Sequence, residues 1–245
     1  MHTVEQIIIS GANKLGVSLP PKAPAAFLEY FTFLEECGSK FNLTAISGAE
    51  DIARMHFLDS IALLNAESFS DARVIDIGSG AGFPGVPLKL AEPSVCLTML
   101  DATAKRVDFL TELSAKLTLG AQCLYARAED ASRTTQMRDA FDIAVSRAVA
   151  KLSVLCELCL PFVRVGGKFL AMKSLDSSEE LNQALPAISI LGAAYEKSYE
   201  YEIPETGIFR TVLVIKKTQQ TPQRYPRRFA RIISSPLLKS TASTK

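Results

Sequence analysis

The stretch RVIDIGSGAGFPG (73–85) decides the fold. An apolar, β-branched run turns through three glycines into a segment that Pro84 can open as a helix. Strand, glycine turn and helix in that order form the first unit of a parallel α/β sheet, and the crevice at its strand ends is where such sheets bind ligands. A dinucleotide fingerprint reads G-x-G-x-x-G, but its third glycine position is Phe83. The spacing is instead G-x-G-x-G (Gly78, Gly80, Gly82), with Asp76 two residues ahead of the first glycine. This version suits a nucleoside that carries an amino-acid tail in place of a pyrophosphate. Asp76 can meet an ammonium directly or orient the loop that does.

Outward from the loop the alternation continues. Strands are expected at 73–77, 96–100, 122–126, 141–146 and 168–173, with helices at 84–91, 104–117, 151–163 and 177–186. Two further runs, 195–203 and 210–217, have no helix between them and read as an antiparallel pair at the sheet edge. Asp101 ends the second strand, about 20 residues past the loop, where a carboxylate can accept from both hydroxyls of a ribose. Ala128 and Glu129 follow the third strand, at the place of an adenine, and Arg147 ends the fourth. Each feature also has a plainer reading: Asp101 as a helix cap, Glu129 as a surface acid, Arg147 as a structural ion pair. Their order along one sheet edge favours a nucleotide-type site.

The first 70 residues read as helices, at 4–15, from Ala25 to Cys37, and from a Ser47/Glu50 capping box onward. His56 and Asp59 share a helix face there, and a hydrogen bond from helix to core is the reading favoured for them. Nine of the 27 cations follow Glu205 and no acid does, leaving 18 cations against 26 acids before it. Such an end attracts a polyanion or serves as a solvated tail. Its composition predicts an extended arm, and the alternation of Arg224, Tyr225, Arg227, Arg228 and Phe229 suits stacking on bases. Five cysteines read as reduced core thiols. Cys156-x-x-Cys159 lies in an apolar helix with no second pair, so no metal site is expected. No signal peptide or membrane span is read, and the expected compartment is the cytoplasm.

These residues also carry a resemblance. FNLTAI (41–46), MHFLDS (55–60), IDIGSGAGFPGVPLKL (75–90), LDATAKRVDFL (100–110), ARAED (126–130), SRAVA (146–150), GGKFLAMK (166–173) and TPQRYPRR (221–228) follow one another as in the RsmG (GidB) family. Its members are bacterial methyltransferases of the small ribosomal subunit that methylate N7 of one guanine. The resemblance implies a Rossmann-like class I methyltransferase fold, with a mostly parallel seven-stranded sheet and an N-terminal helical extension. It divides the chain into a helical subdomain (1–70), an S-adenosylmethionine-dependent domain (71–218) and a basic arm (219–245). It implies that Gly78 and Phe83 touch S-adenosylmethionine, with Ala128 and Glu129 at its adenine and Arg147 beside the site as the catalytic candidate. Asp76, Gly80, Gly82 and Asp101 follow from the general methyltransferase pattern.

The implied partner is 16S ribosomal RNA in the small subunit, met by a monomer with no obligate protein partner. Lys105, Arg106, Lys173, Arg224, Arg227 and Arg228 are the candidate RNA contacts. With only His2 and His56 in the chain, most Ser-His-Asp or Cys-His sets cannot be built. Guanine N7 needs no base to expose its lone pair, so positioning without a dedicated general base is expected. A nicotinamide dehydrogenase is disfavoured by Phe83, and an amino-group methylator by SRAV at the fourth strand, where an NPPY-type motif would stand. A non-catalytic ribosome-binding protein is the remaining alternative.

Overall fold

The computed structural model describes residues 3–38, 46–147 and 150–238. FNLTA of the FNLTAI stretch, Ala148 and Val149 of SRAVA, His2, Lys239 and Lys245 lie outside the described residues.

Helices α1 (Val4–Leu15) and α2 (Ala23–Gly38) open the chain, and Thr3 and Gln6 make a reciprocal capping box at the start of α1. Next come α3 (Ala49–Ile52), a π-helical turn (Ala53–Leu58), α4 (Asp59–Ile61) and α5 (Leu63–Ala66). The Ser47/Glu50 capping box is not made. The N-cap is Gly48, whose φ of 92° suits only glycine, so the helix starts one residue later than the box predicts.

The alternating part follows as β1 (Arg73–Ile77), α6 (Gly85–Ala91), β2 (Cys96–Asp101), α7 (Ala104–Lys116), β3 (Gln122–Tyr125), α8 (Ala128–Ala131) and β4 (Phe141–Arg147). Then come α9 (Leu152–Cys159), a 3-10 turn (Leu160–Phe162), β5 (Val163–Ser174), α10 (Ser178–Ile190), β6 (Ala193–Ile203), β7 (Ile208–Lys217) and α11 (Phe229–Ser234). The strands form one seven-stranded sheet in the order β3-β2-β1-β4-β5-β7-β6, with β7 antiparallel to both β5 and β6. β1 and β4, neighbours in the sheet, are separated by β2 and β3 in sequence. This is the switch point at which open sheets form their binding crevice.

Alternate residues of β1 serve opposite faces. Val74 joins a core with Ile8, Phe27, Tyr30, Phe57 and Leu58, while Ile75 and Ile77 join one built on α9 and α10. The N-terminal helices therefore cover one sheet face directly and share its core. Tyr30 and Phe57 bring a chain of rings to the glycine loop, with Phe83 at centroid distances of 5.5 and 5.9 Å.

The segment after β7 is not a loose tail. Tyr225 and Ile232 are buried in the second core. Arg138 donates to the carbonyls of Thr221 (2.7 Å) and Tyr225 (3.1 Å), and Arg133 donates to that of Pro226. Arg227 embraces Glu157 of α9, with Nη2 2.7 Å from Oε2 and Nε 2.9 Å from Oε1. The expected extended arm is thus non-helical to Arg228, held along its length, and closed by α11. Glu157 is fully buried, so Arg227→Ala removes its counter-charge. We expect a loss on the order of 2 kcal/mol, below the full cost of a stranded charge because the arm can lift and admit water. Urea unfolding together with faster proteolysis between 219 and 238 measures this.

Among the described residues no helix is long and apolar enough to cross a membrane. Cys156 and Cys159 are free and buried, as expected of core thiols, and burial pushes both thiols up. Cys96, at the start of β2, is exposed instead.

Candidate active site

A cavity of about 600 Å³ opens at the C-terminal ends of β1, β2 and β4. The loop after β1 forms one wall. Asp76 is wholly buried beneath it, where Oδ2 accepts from the Gly85 amide (2.9 Å) at the start of α6. The loop is also tied to β2, since the Gly78 amide donates to the Leu100 carbonyl (2.8 Å). Gly80 has φ +59°, and a Cβ built there would have the Gly78 carbonyl oxygen, 3.9 Å away, as its nearest contact among the described residues beyond its chain neighbours. Its amide donates to Asp101 Oδ2 (3.0 Å), while Asp101 Oδ1 accepts from the Thr103 amide (2.8 Å). The carboxylate thus joins the glycine loop to the turn entering α7, and Arg106 stands 3.6 Å from it. Across the cavity lie Ala128 and Glu129, both buried, and Phe229 of the arm.

Arg147 closes one end. Its Nη1 donates to Asp59 Oδ2 (3.0 Å) and to the Met55 carbonyl (3.1 Å), and its Nη2 lies 2.9 Å from His56 Nδ1. Its guanidinium carbon is 5.0 Å from the Phe83 ring centroid, on which the His56 ring also stacks at 4.5 Å. Asp59 Oδ1 accepts from the buried Tyr201 hydroxyl (2.7 Å). His56 belongs to the π-helical turn, a widened geometry found mostly as single turns within α-helices and frequently at functional sites. Beyond Arg147 a second cavity, of about 310 Å³, shares Ile46, His56 and Arg147 with the first.

A glycine loop on β1, an acid ending β2 and a cavity between them describe a large group of folds. The narrower assignment comes from comparison: the family model described as "rRNA small subunit methyltransferase G" (GidB) matches residues 24–204. The chain belongs to this family. The ribosomal RNA small subunit methyltransferase G of Clostridium tetani is 39% identical over 233 residues, covering 94% of this chain and 98% of its own. That of Acetivibrio thermocellus is 41% identical over 235 residues, covering 96% and 97%. Among solved structures, TrmN from Thermus thermophilus aligns with a TM-score of 0.52 at 21% identity. It covers 66% of this chain and 48% of that one, so the chain spans about half its length, and the likeness is one of fold.

In this GidB-family chain the expected site residues do not all stand alike. Gly78, Gly80, Phe83, Asp101, Ala128, Glu129 and Arg147 line the first cavity. Asp76 and Gly82 do not. A Cβ on Gly82 would come within 2.6 Å of the Tyr30 hydroxyl and 2.9 Å of Val86, and its φ is +102°. This glycine therefore admits the N-terminal helices to the loop, where Tyr30 also donates to the Ala81 carbonyl (2.5 Å). Asp76 Oδ2 serves the loop through the Gly85 amide, while its Oδ1 is buried with no hydrogen-bond partner among the described residues.

Burial pushes the Asp76 carboxyl up to about 7, against the opposing pull of the Gly85 amide. The folded chain then holds this proton more tightly than the unfolded chain, so the group's contribution to stability falls as pH rises from about 4 to about 7. Asp76→Asn, which cannot ionise, should melt above the parent at pH 8, with the gap closing toward pH 4. Calorimetry at both pH values checks the sign.

Of the six candidate RNA contacts, two are engaged by protein groups in this structure. Lys173 Nζ donates to Glu180 (2.8 Å) and the Ala150 carbonyl (2.9 Å), and Arg227 is bound to Glu157. Lys105, Arg106, Arg224 and Arg228 are exposed. His56 and Asp59, read as bonding from helix to core, do so through Arg147. Sequence reasoning missed Phe229, Met55, Met172 and Arg210 as cavity walls. MHFLDS and SRAVA both stand among the motifs of the resemblance, but neither stretch carries a signal that the two meet.

Proposed function

We propose that the chain transfers a methyl group from S-adenosylmethionine to N7 of one guanine in 16S ribosomal RNA of the small subunit, in the bacterial cytoplasm. The observation that carries this reading is the cavity walled by the glycine loop, Asp101 and Glu129, in a chain that matches its named relatives over nearly its whole length.

The walls fit the cofactor. The cavity lies within the range of small-ligand sites. Gly80 leaves open the space that a Cβ would enter, and two buried acids suit a cationic ligand. Asp101 would take the ribose hydroxyls, since each of its oxygens keeps a lone pair beyond its one backbone bond. Ala128 and Glu129 would flank the adenine, Gly78 and Gly80 the amino-acid end, with Asp76 and Gly82 acting through the loop. When bound, the sulfonium would supply an electrophilic methyl carbon to the N7 lone pair, with the C–S electron pair kept by sulfur as a neutral thioether and the positive charge passing to the purine. Arg147 and Phe83 would fix the direction of approach, which is where catalysis lies when no proton must move first. Because Asp59 neutralises Arg147, the charge that develops on the purine does not face a bare cation. Lys105, Arg106, Arg224 and Arg228 would meet phosphates in a monomer acting on the subunit.

The test is incubation with labelled S-adenosylmethionine and small subunits lacking the modification, followed by cleavage at N7-methylguanine. Label at one guanine supports the reading. Tight cofactor binding with no transfer to subunits or naked RNA would instead favour a non-catalytic binding role or another acceptor.

A further inference from the structure

The second cavity, past Arg147, takes part in none of the cofactor contacts proposed above. Met55 and Met172 supply polarisable apolar walls, and His56 and Arg147 form the end shared with the first cavity. Arg210, on β7 beside Ser174 of β5, lines the far part, and its guanidinium makes no hydrogen bond or ion pair among the described residues. A group that enters this cavity therefore lies next to whatever occupies the first.

The tautomer of His56 follows from its neighbour. A guanidinium can only donate, so Arg147 Nη2 obliges Nδ1 to be the accepting nitrogen, and the ring proton sits on Nε2. Nε2 is buried and has no hydrogen-bond partner among the described residues. Burial and the charge of Arg147 lower the His56 pKa to about 4, so the ring is neutral at pH 7. The result is an unspent N–H donor on a side chain fixed by a stack on Phe83 at 4.5 Å and by a bond to Arg147 at 2.9 Å. Buried donors without partners are uncommon enough to require a reason.

We propose that the second cavity receives the acceptor guanine and that His56 Nε2–H donates to its O6, making His56 the residue that selects guanine over adenine. This rests on the N7 transfer proposed above. On a purine, O6 and N7 share one edge, so a bond taken by O6 aligns that edge while N7 keeps its lone pair for the methyl carbon. Adenine carries an amino donor where guanine has O6 and would set donor against donor at Nε2. The major groove of an RNA helix is too deep and narrow to be read in place, so the base must leave its stack to arrive here. Arg210 is placed to take the phosphate of the same nucleotide.

The experiment is a cycle between one side chain and one substrate atom. Small subunits are reconstituted with guanine or with 2-aminopurine, which keeps N7 and lacks O6, at the acceptor position. Transfer by the full chain is compared with that by H56A and H56Q. The wild-type chain should lose about 10- to 100-fold in kcat/KM on 2-aminopurine. His56→Ala should lose a similar factor on guanine and no longer distinguish the two bases. His56→Gln, which retains an N–H donor, should recover part of the guanine rate, and S-adenosylmethionine affinity should stay within a few-fold throughout. A wild-type guanine preference that survives in H56A overturns the assignment. So does a wild-type chain that uses both bases equally, a result that needs no variant to fold. Failure of the N7 reaction itself shows separately, as no transfer by the wild-type chain to the guanine subunit.

Discussion

Replacing Arg147 with methionine is expected to lower the unfolding free energy by roughly 3–5 kcal/mol, the range for stranding one partner of a buried ion pair. Asp59 is buried and takes Arg147 on one oxygen and the Tyr201 hydroxyl on the other, so it cannot turn to water when the guanidinium is gone. Adding Asp59→Asn should return most of that stability, because the side chain left behind carries no charge and still accepts from Tyr201. Methyl transfer should stay depressed in both variants, since the Phe83 and His56 contacts of Arg147 are lost in each. The His56 pKa, held near 4 by burial and then by Arg147, should rise toward its ordinary value in the single variant, as an NMR titration of the ring would read. Chemical denaturation of the two variants and the parent decides the case. A single variant within 0.5 kcal/mol of the parent, roughly the scatter of surface substitutions, would mean that the pair is solvated and that Arg147 owes its place to something else.

The sheet is legible in the sequence because each of its signals is local. RVIDI is a strand from end to end, and Gly78 to Gly82 can only be a turn. The start of β5 is not legible in this way. Val163 to Gly167 read as the end of a helix and a glycine loop, yet they belong to the strand: Val163 pairs with Phe141, and Arg164 to Gly167 fill a register irregularity before Lys168 meets Ile143. The junction around Arg147 is hidden for a different reason. Its partners lie 88 to 92 positions away in the chain, and nothing local in MHFLDS or SRAVA points to the other. The arm shows a third kind of gap. Counting charges marks its cations as free for a polyanion, but Glu157, the only acid in the apolar run LCELCLPFV, needs a counter-charge from elsewhere. That lone buried acid was the available sign that one of the arm's arginines turns inward.

Asp101→Ala should weaken S-adenosylmethionine binding by about 100-fold or more, read by titration calorimetry, because one carboxylate serves three attachments. It holds the Gly80 amide, the Thr103 amide and, at longer range, Arg106. The proposed ribose contact adds to these. Removing it leaves two backbone donors without an acceptor and frees the loop from β2 at the residue whose left-handed conformation shapes the cavity wall. Asp101→Asn separates the parts. One amide oxygen can serve Gly80 or Thr103, but the amino group then opposes the other backbone donor, so binding should fall between that of parent and alanine. Were Asp101 only a device for starting α7, the alanine chain would lose stability and keep its affinity. Loss of affinity with faster hydrogen exchange at Gly80 would show that the acid at the end of β2 assembles the site as well as the helix.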